Sequence, residues 1–204
     1  QRADGRSSVG VADSEEILPW AEREGLLMSK AVVLYQSKYG ATQKYAQWLA
    51  EALGCSLVET KQATREQVRE YDVIILGGGI YASGIAGIGF LKKHHAHLRD
   101  KRIVVFAVGA SPYDKKAMAQ LRNRNLKGAM ANLPIFYCRG AWNEEAMSWK
   151  DRVMCNLLKR MVAKKDPAAY EPWESALMEA IGSSHDWTSR EQLQPILDWV
   201  RNKD

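Results

Sequence analysis

A doubly wound α/β fold, with five parallel strands covered by helices on both faces, is the class this chain predicts. Three observations point to it. From residue 28 onward, β-branched apolar runs alternate with helical patterns, the signature of a parallel sheet buried on both sides. Hydroxyl- or glycine-rich stretches follow the first, third and fourth apolar runs. And 204 residues with 46% hydrophobic content suffice for one core, since domains usually hold roughly 100–200 residues.

AVVLY (31–35) is the first strand and ATQKYAQWLAEAL (41–53) the helix after it. CSLVET (55–60) is the second strand, followed by TREQVREY (64–71), a helix with Thr64 at its cap. DVIILGG (72–78) is the third, and a glycine-rich loop then leads into the helix GFLKKHHAHL (89–98). RIVVFAVG (102–109) is the fourth, running through ASPYD into the helix KKAMAQLRNRNL (115–126). NLPIFYCRG (132–140) is the fifth, and SREQLQPILDWVRN (189–202) is the final helix. A sheet wound this way takes its ligand beyond the carboxyl ends of the strands, where the winding reverses. The loops after strands one, three and four are therefore the candidate site.

Residues 1–27 begin without methionine, and Met28-Ser29-Lys30 is a more natural start. They read as an N-terminal extension, with a short helix over Ser14–Glu24 weakened by Pro19, and residues 28–204 as one domain. No apolar run approaches the ~20 residues that cross a bilayer, and no signal peptide is recognisable, so a cytoplasmic protein is expected. Cys55, Cys138 and Cys155 are odd in number and far apart, as suits reduced, buried thiols. The net charge is +5, with three basic and six acidic residues in 1–27 against 26 basic and 18 acidic in the remainder. That balance favours an anionic partner.

In the first loop, Ser37-Lys38-Tyr39-Gly40-Ala41-Thr42, two hydroxyls flank a glycine at a helix start. Unpaired amides and the positive dipole end bind a phosphate there, and Gly40 lets the backbone curl inward. The G-x-x-x-x-G-K-[ST] loop of ATP and GTP hydrolysis is absent. The alternative is a plain N-cap at Thr42 with a turn at Gly40. The loop resembles the [ST]-x-x-G-x-T loop of the flavodoxins, and the resemblance implies a flavodoxin-like strand order of 2-1-3-4-5 and an FMN whose 5′-phosphate is held at residues 37–42. It also implies that GGGIYASG (77–84) forms one wall of the isoalloxazine site, through Gly78, Gly79, Ile80 and Tyr81. The other wall would be GASPYD (109–114), through Gly109, Ala110, Ser111 and Tyr113. Read alone, Tyr113 fits a surface turn after Pro112 equally.

Other readings of the same residues are weaker. Gly77, Gly79 and Ala82 satisfy G-x-G-x-x-A, but no acidic residue ends the next strand, as a dinucleotide site requires. A phosphoacceptor signalling domain shares the fold class but needs an aspartate where Gly77 stands. His94, His95 and His97 read as a solvated basic helix face, with no metal expected. Lys159-Arg160 and Lys164-Lys165 lack interleaved aromatics, so no nucleic acid is expected.

Beyond strand five, Trp149, Val153, Leu157 and Met161 recur at helical spacing, widened by Met154, Leu158 and Val162. Six basic residues and one acidic residue lie between Lys150 and Lys165. Such a helical insertion either packs its apolar stripe on the domain or docks at 147–165 to an anionic membrane surface or an acidic partner. RGAWNEEAMSWKDRVMCNLLKRM, FLKKHHAHL and HDWTSREQL resemble the flavodoxin-domain branch that includes the menaquinone-dependent protoporphyrinogen dehydrogenase. That resemblance implies an FMN-dependent oxidoreductase passing electrons from a porphyrin-like donor to a quinone, peripheral at the inner membrane face. The alternatives are an electron shuttle serving a redox partner protein, or a binding module with a decayed cofactor site.

Overall fold

The computed structural model describes residues 30–202; the helix expected over Ser14–Glu24 lies outside the described residues. The chain begins with strand β1 (Ala31–Gln36) and helix α1 (Ala41–Leu53), then β2 (Ser56–Glu59) and α2 (Arg65–Arg69). Thr64 caps α2 with a full capping box to Gln67. Strand β3 (Val73–Tyr81), a two-residue β4 (Gly84–Ile85) and α3 (Ile88–His94) follow. Then come β5 (Arg102–Gly109), α4 (Lys115–Asn125) and β6 (Ile135–Arg139).

The sheet order is β2-β1-β3-β5-β6, all parallel, with β4 attached to β3. Without β4, this is the expected 2-1-3-4-5 order. Alternation along each strand divides the core in two. Val32, Leu34, Ile74, Leu76 and Val105 face one side, where Leu91 of α3 and Leu121 of α4 cover them. Val33, Ile75, Val104, Phe106 and Val108 face the other, under Tyr45 and Leu49 of α1. Helix α7 (Gln194–Arg201) completes that second layer with Ile196 and Val200, after a 3₁₀ turn at Arg190–Leu193. The expected single helix over 189–202 is thus two segments. Of the three thiols, none is disulfide-bonded; Cys138 is buried and Cys55 and Cys155 are half-buried. Burial pushes the Cys55 thiol up to about 11 and Cys138 up to about 12.

Two expectations need correction. The segment after the expected strand end at Gly78 is not a loop: β3 continues through Gly79 and Ile80 to Tyr81 and returns as β4, Ile80 opposite Ile85 and Tyr81 opposite Gly84. A Cβ on Gly77 would overlap the Phe106 ring, and one on Gly78 would overlap the Ala86 carbonyl. These positions are small because neighbouring backbone and ring fill the space. The turn itself, Ala82-Ser83, has φ of 46° and 62°, the two-residue type I′ geometry that fits strand twist. Asn125 secures it, accepting from Ile85 N–H (3.0 Å) and donating to the carbonyls of Ser83 and Leu121 (2.9 Å each).

Second, the region between β6 and α7 is a small lobe with more elements than the single expected helix. Strand β7 (Ala141–Asn143) pairs antiparallel with β8 (Ser184–Asp186), enclosing α5 (Trp149–Val162) and α6 (Pro172–Ala180). Trp142, Val162, Leu177 and Ala180 form its own core. Glu174 is buried beneath it, accepting from Lys165 Nζ (2.5 Å) and Glu171 N–H (2.9 Å).

Non-glycine residues in the left-handed region are strained by roughly 1–2 kcal/mol. Ser83→Gly is therefore expected to raise unfolding stability by about 0.5–1 kcal/mol, the gain trimmed by the looser unfolded chain. Asn125→Ala, which leaves an amide and two carbonyls without their partner, is expected to lower it by about 2–3 kcal/mol. Urea unfolding of both variants measures the difference.

Candidate functional site

Strand register brings the three loops to one edge. Gln36 lies opposite Gly78, and Gly78 opposite Ala107, so with neighbouring strands about 4.8 Å apart the ends of β1 and β5 are about 10 Å apart, with β3 between. Helix α1 starts at Gly40, whose φ of 93° is in the left-handed region and whose position supplies no side-chain cap. A cap glycine with this φ turns the chain without a side chain in the way. Gly40 N–H donates to Ser37 Oγ (3.0 Å), and Lys44 N–H returns to the Gly40 carbonyl (2.9 Å). The amides of Ala41, Thr42 and Gln43 have no acceptor among the described residues, as helix geometry dictates. No acidic residue occupies the first turn. Thr42 is buried at 2% exposure, yet makes no side-chain cap bond for α1. The plain N-cap reading is thereby corrected: the capping position is Gly40, and Thr42 lies inside the helix.

Lys38 and Tyr39 reach outward from this loop to the lobe. Asp151, in the first turn of α5, accepts from both Lys38 Nζ and the Tyr39 hydroxyl, and Ser148 N–H donates to Tyr39 Oη (3.2 Å). The Asp151 bond raises the Lys38 pKa, and Lys38, with Tyr39, holds the Asp151 carboxyl below its usual range. The pair is solvent-exposed, so it orients these groups more than it stabilises the fold. Sequence reasoning missed Asp151. Ser148-Trp149-Lys150-Asp151 has the spacing of a capping box, and Ser148 Oγ does accept from Asp151 N–H (3.3 Å). The carboxylate, however, turns to the neighbouring loop, which spacing does not reveal.

On the second wall, Tyr81 folds back over the strand end. A Cβ on Gly79 would meet the Tyr81 hydroxyl at 2.7 Å, and that hydroxyl accepts from Lys38 N–H (3.2 Å). The Tyr39 and Tyr81 rings meet edge to face at 6.3 Å. Tyr81 thus braces the first loop, and Ile80 packs near Gly109, its Cδ1 3.2 Å from where a Cβ on that glycine would lie. Gly78 and Gly79 are buried backbone in β3.

The third loop is held by its carbonyls. Gly140 N–H donates to Gly109 O (2.7 Å), Arg139 Nε to Ala110 O (3.1 Å), and the Tyr137 hydroxyl to Ser111 O. Arg139 also stacks on Trp187, 3.9 Å from the ring centre. Tyr113 is 64% exposed, tilted against Tyr137 at 6.2 Å. Tyr137, Arg139 and Trp187 had no signal in the sequence beyond their residue types; two come from β6 and one from the far side of the lobe. Two hollows adjoin this loop. One, about 540 Å³, runs past Tyr113, Tyr137, Arg139 and Trp187 to Glu191. The other, about 140 Å³, lies between Ala110 and Ser111 and the lobe residues Trp142, Cys155, Trp173 and Trp187. Trp142 Nε1 is buried with no hydrogen-bond partner among the described residues.

A family model described as flavodoxin domain matches residues 32–169. No curated protein matches the chain. Among solved structures, a flavodoxin from the domain Archaea is 14% identical, with 62% of this chain and 91% of that one covered and a TM-score of 0.39. The Trp repressor binding protein from Bacillus subtilis is 18% identical, covering 56% and 85%, at 0.43. The oxidised flavodoxin 1 from Bacillus cereus is 15% identical, covering 76% and 100%, at 0.38.

Desolvation pushes the Tyr45 phenol up to about 12 and Tyr137 higher still. Tyr45 donates to Arg139 O (2.6 Å), as Tyr137 does to Ser111 O, so both hold the site's walls. A phenol whose folded pKa is raised stabilises the fold below its ordinary value near 10 and ceases to do so as pH climbs through the folded value. Stability is therefore expected to fall between about pH 10 and pH 12. Ultraviolet titration should show these two tyrosines ionising only with unfolding.

Proposed function

We propose that this chain, which belongs to the flavodoxin domain family, binds FMN at the carboxyl edge of β1, β3 and β5 and acts as an electron-transfer flavoprotein. The observation that carries the reading is the start of α1: three amides without an acceptor among the described residues, a positive helix end with no side-chain cap and a buried threonine, with no carboxylate in the first turn. A phosphate monoester satisfies all of these together. Bound there, FMN supplies reversible uptake of one or two electrons. The chain's task is to hold and flank it.

Ser37, Gly40, Ala41 and Thr42 would take the 5′-phosphate, with Lys38 and Tyr39 at its outer side. Gly78, Gly79, Ile80 and Tyr81 would flank the ring on one side, and Gly109, Ala110, Ser111 and Tyr113 on the other. With Ala110 O and Ser111 O already engaged, the third loop enters this arrangement as a preset wall. Tyr113, exposed and free of side-chain hydrogen bonds among the described residues, is the aromatic able to swing onto a flat ring.

The finer reading is an oxidoreductase that moves electrons from a porphyrin-like donor to a quinone, in preference to a shuttle for a partner protein. The cavity of about 140 Å³ behind Ala110 and Ser111 supports it, since a cavity near 150 Å³ admits one aromatic ring. Its three tryptophans suit a flat apolar molecule. A larger, anionic donor would meet the open hollow beside Arg139.

Titration of the purified protein with FMN is expected to quench flavin fluorescence and yield a yellow protein. A colourless protein with no quenching would sink the proposal. Thr42→Ala should weaken binding by about 1–3 kcal/mol through loss of a buried hydroxyl on a charged group. Asp151→Asn, which removes a carboxylate beside the phosphate, should tighten it a few-fold at low salt. Anaerobic turnover of protoporphyrinogen with a menaquinone analogue separates enzyme from shuttle, because a shuttle would turn over only with its partner present.

A further inference from the structure

The apolar stripe of α5 splits in the folded protein. Cys155, Leu158 and Val162 face the lobe core. Trp149, Val153, Met154, Leu157 and Met161 face outward, each more than half exposed. Eight large apolar or aromatic side chains are exposed among the described residues; three are the candidate-site tyrosines Tyr39, Tyr81 and Tyr113, and the other five are these. With successive offsets of four, one, three and four residues they form one continuous stripe on a 14-residue helix. Lys150, Arg152, Lys159, Arg160 and Lys164 carry no ion pair among the described residues. The helix's only carboxylate, Asp151, is committed to Lys38.

We infer that this face of α5 seats on an anionic lipid surface, with the five apolar side chains entering the headgroup boundary and the cations among them, Lys150 and Arg160, meeting lipid phosphates. Size and charge select this occupant. A helix of 14 residues is about 21 Å long, and a stripe about 10 Å wide presents about 200 Å². Stable protein interfaces use about 800 Å² per partner. A second copy would also bring its own Lys150 and Arg160 against these. A lipid surface needs no matching shape and gains from each apolar residue and each cation. On an ideal wheel of 100° per residue, Lys150 and Arg160 fall within the apolar arc, where their long stems lie along apolar surface while their charged ends reach headgroups. Attachment is peripheral: no helix among the described residues is long and apolar enough to cross a membrane.

The test uses the full chain without added FMN, so its outcome is independent of the flavin reading. In flotation with vesicles of equal phosphatidylcholine and phosphatidylglycerol at about 0.1 M salt, binding is expected. It should be at least about tenfold weaker with phosphatidylcholine alone, and should fall in about 1 M salt, where screening shortens to about 3 Å. The double variant Val153→Ser/Leu157→Ser should lose binding about tenfold or more with an unchanged far-ultraviolet spectrum. Because apolar variants are open to folding artefacts, Lys150→Gln/Arg160→Gln should independently weaken binding to the anionic vesicles. Failure of the wild-type chain to float, or equal flotation by wild type and both variants, overturns the inference. So does vesicle-free self-association that Leu157→Ser abolishes, which would make the stripe a contact between copies.

Discussion

The contact on which the rest of this molecule depends is that between Gly77 of β3 and the Phe106 ring of β5. The ring occupies the space where a side chain on Gly77 would stand, at the centre of the sheet and in the core layer beneath α1. With Gly78 similarly closed against the Ala86 carbonyl, the strand continues past the level at which β1 ends, and only then turns back. Everything at the carboxyl edge follows from that overrun. It carries Tyr81 across to brace the first loop, brings Ile80 against Gly109, and requires a two-residue turn of left-handed residues that Asn125 secures from α4. Close packing tolerates no added methyl here; the glycine run that resembles a ligand loop is a packing device at the edge of the candidate site.

The first loop is held from two directions by interactions of different kinds. Tyr81 contributes a ring edge and a hydroxyl from within the sheet domain, while Ser148 and Asp151 contribute an amide and a carboxylate from the lobe. The ionic part is exposed and screened, so its consequence is orientation. It couples the lobe to the loop that would hold a phosphate, and it places a negative charge where the incoming anion is also negative. The Lys38 ammonium has a carboxylate already beside it, and a phosphate would share or displace that partner.

The lobe differs physically from the sheet domain. Its core consists of a few residues, three of its tryptophans surround a small cavity, and its buried Glu174 keeps its charge through Lys165 and a backbone amide. Burying a carboxylate without such partners would be prohibitive. The arrangement leaves α5 with one face on the lobe core and one face exposed among the described residues.

What the sequence by itself determined was the sheet. Strand runs such as AVVLY and RIVVFAVG are apolar on both faces and allow only a buried parallel position, and the bounds of α1 and β5 match their periodicity and flanking turns residue for residue. The first loop, the candidate phosphate site, was legible for the same reason: a helix start with a glycine and two hydroxyls is a local feature, dictated by backbone geometry within six residues. Tertiary structure alone decided the features that depend on distant partners. That the strand runs on through Gly79 and Ile80 to Tyr81 and returns as β4 depends on pairing with Gly84 and Ile85; that Asp151 turns to Lys38 depends on a separation of 113 residues. Periodicity located the apolar stripe of α5, but burial divided it, because a helix with a 3.6-residue repeat shows which residues share a face and not which face meets the core. Leu158 and Val162 went inward with Cys155, and Trp149, Val153, Met154, Leu157 and Met161 stayed outside.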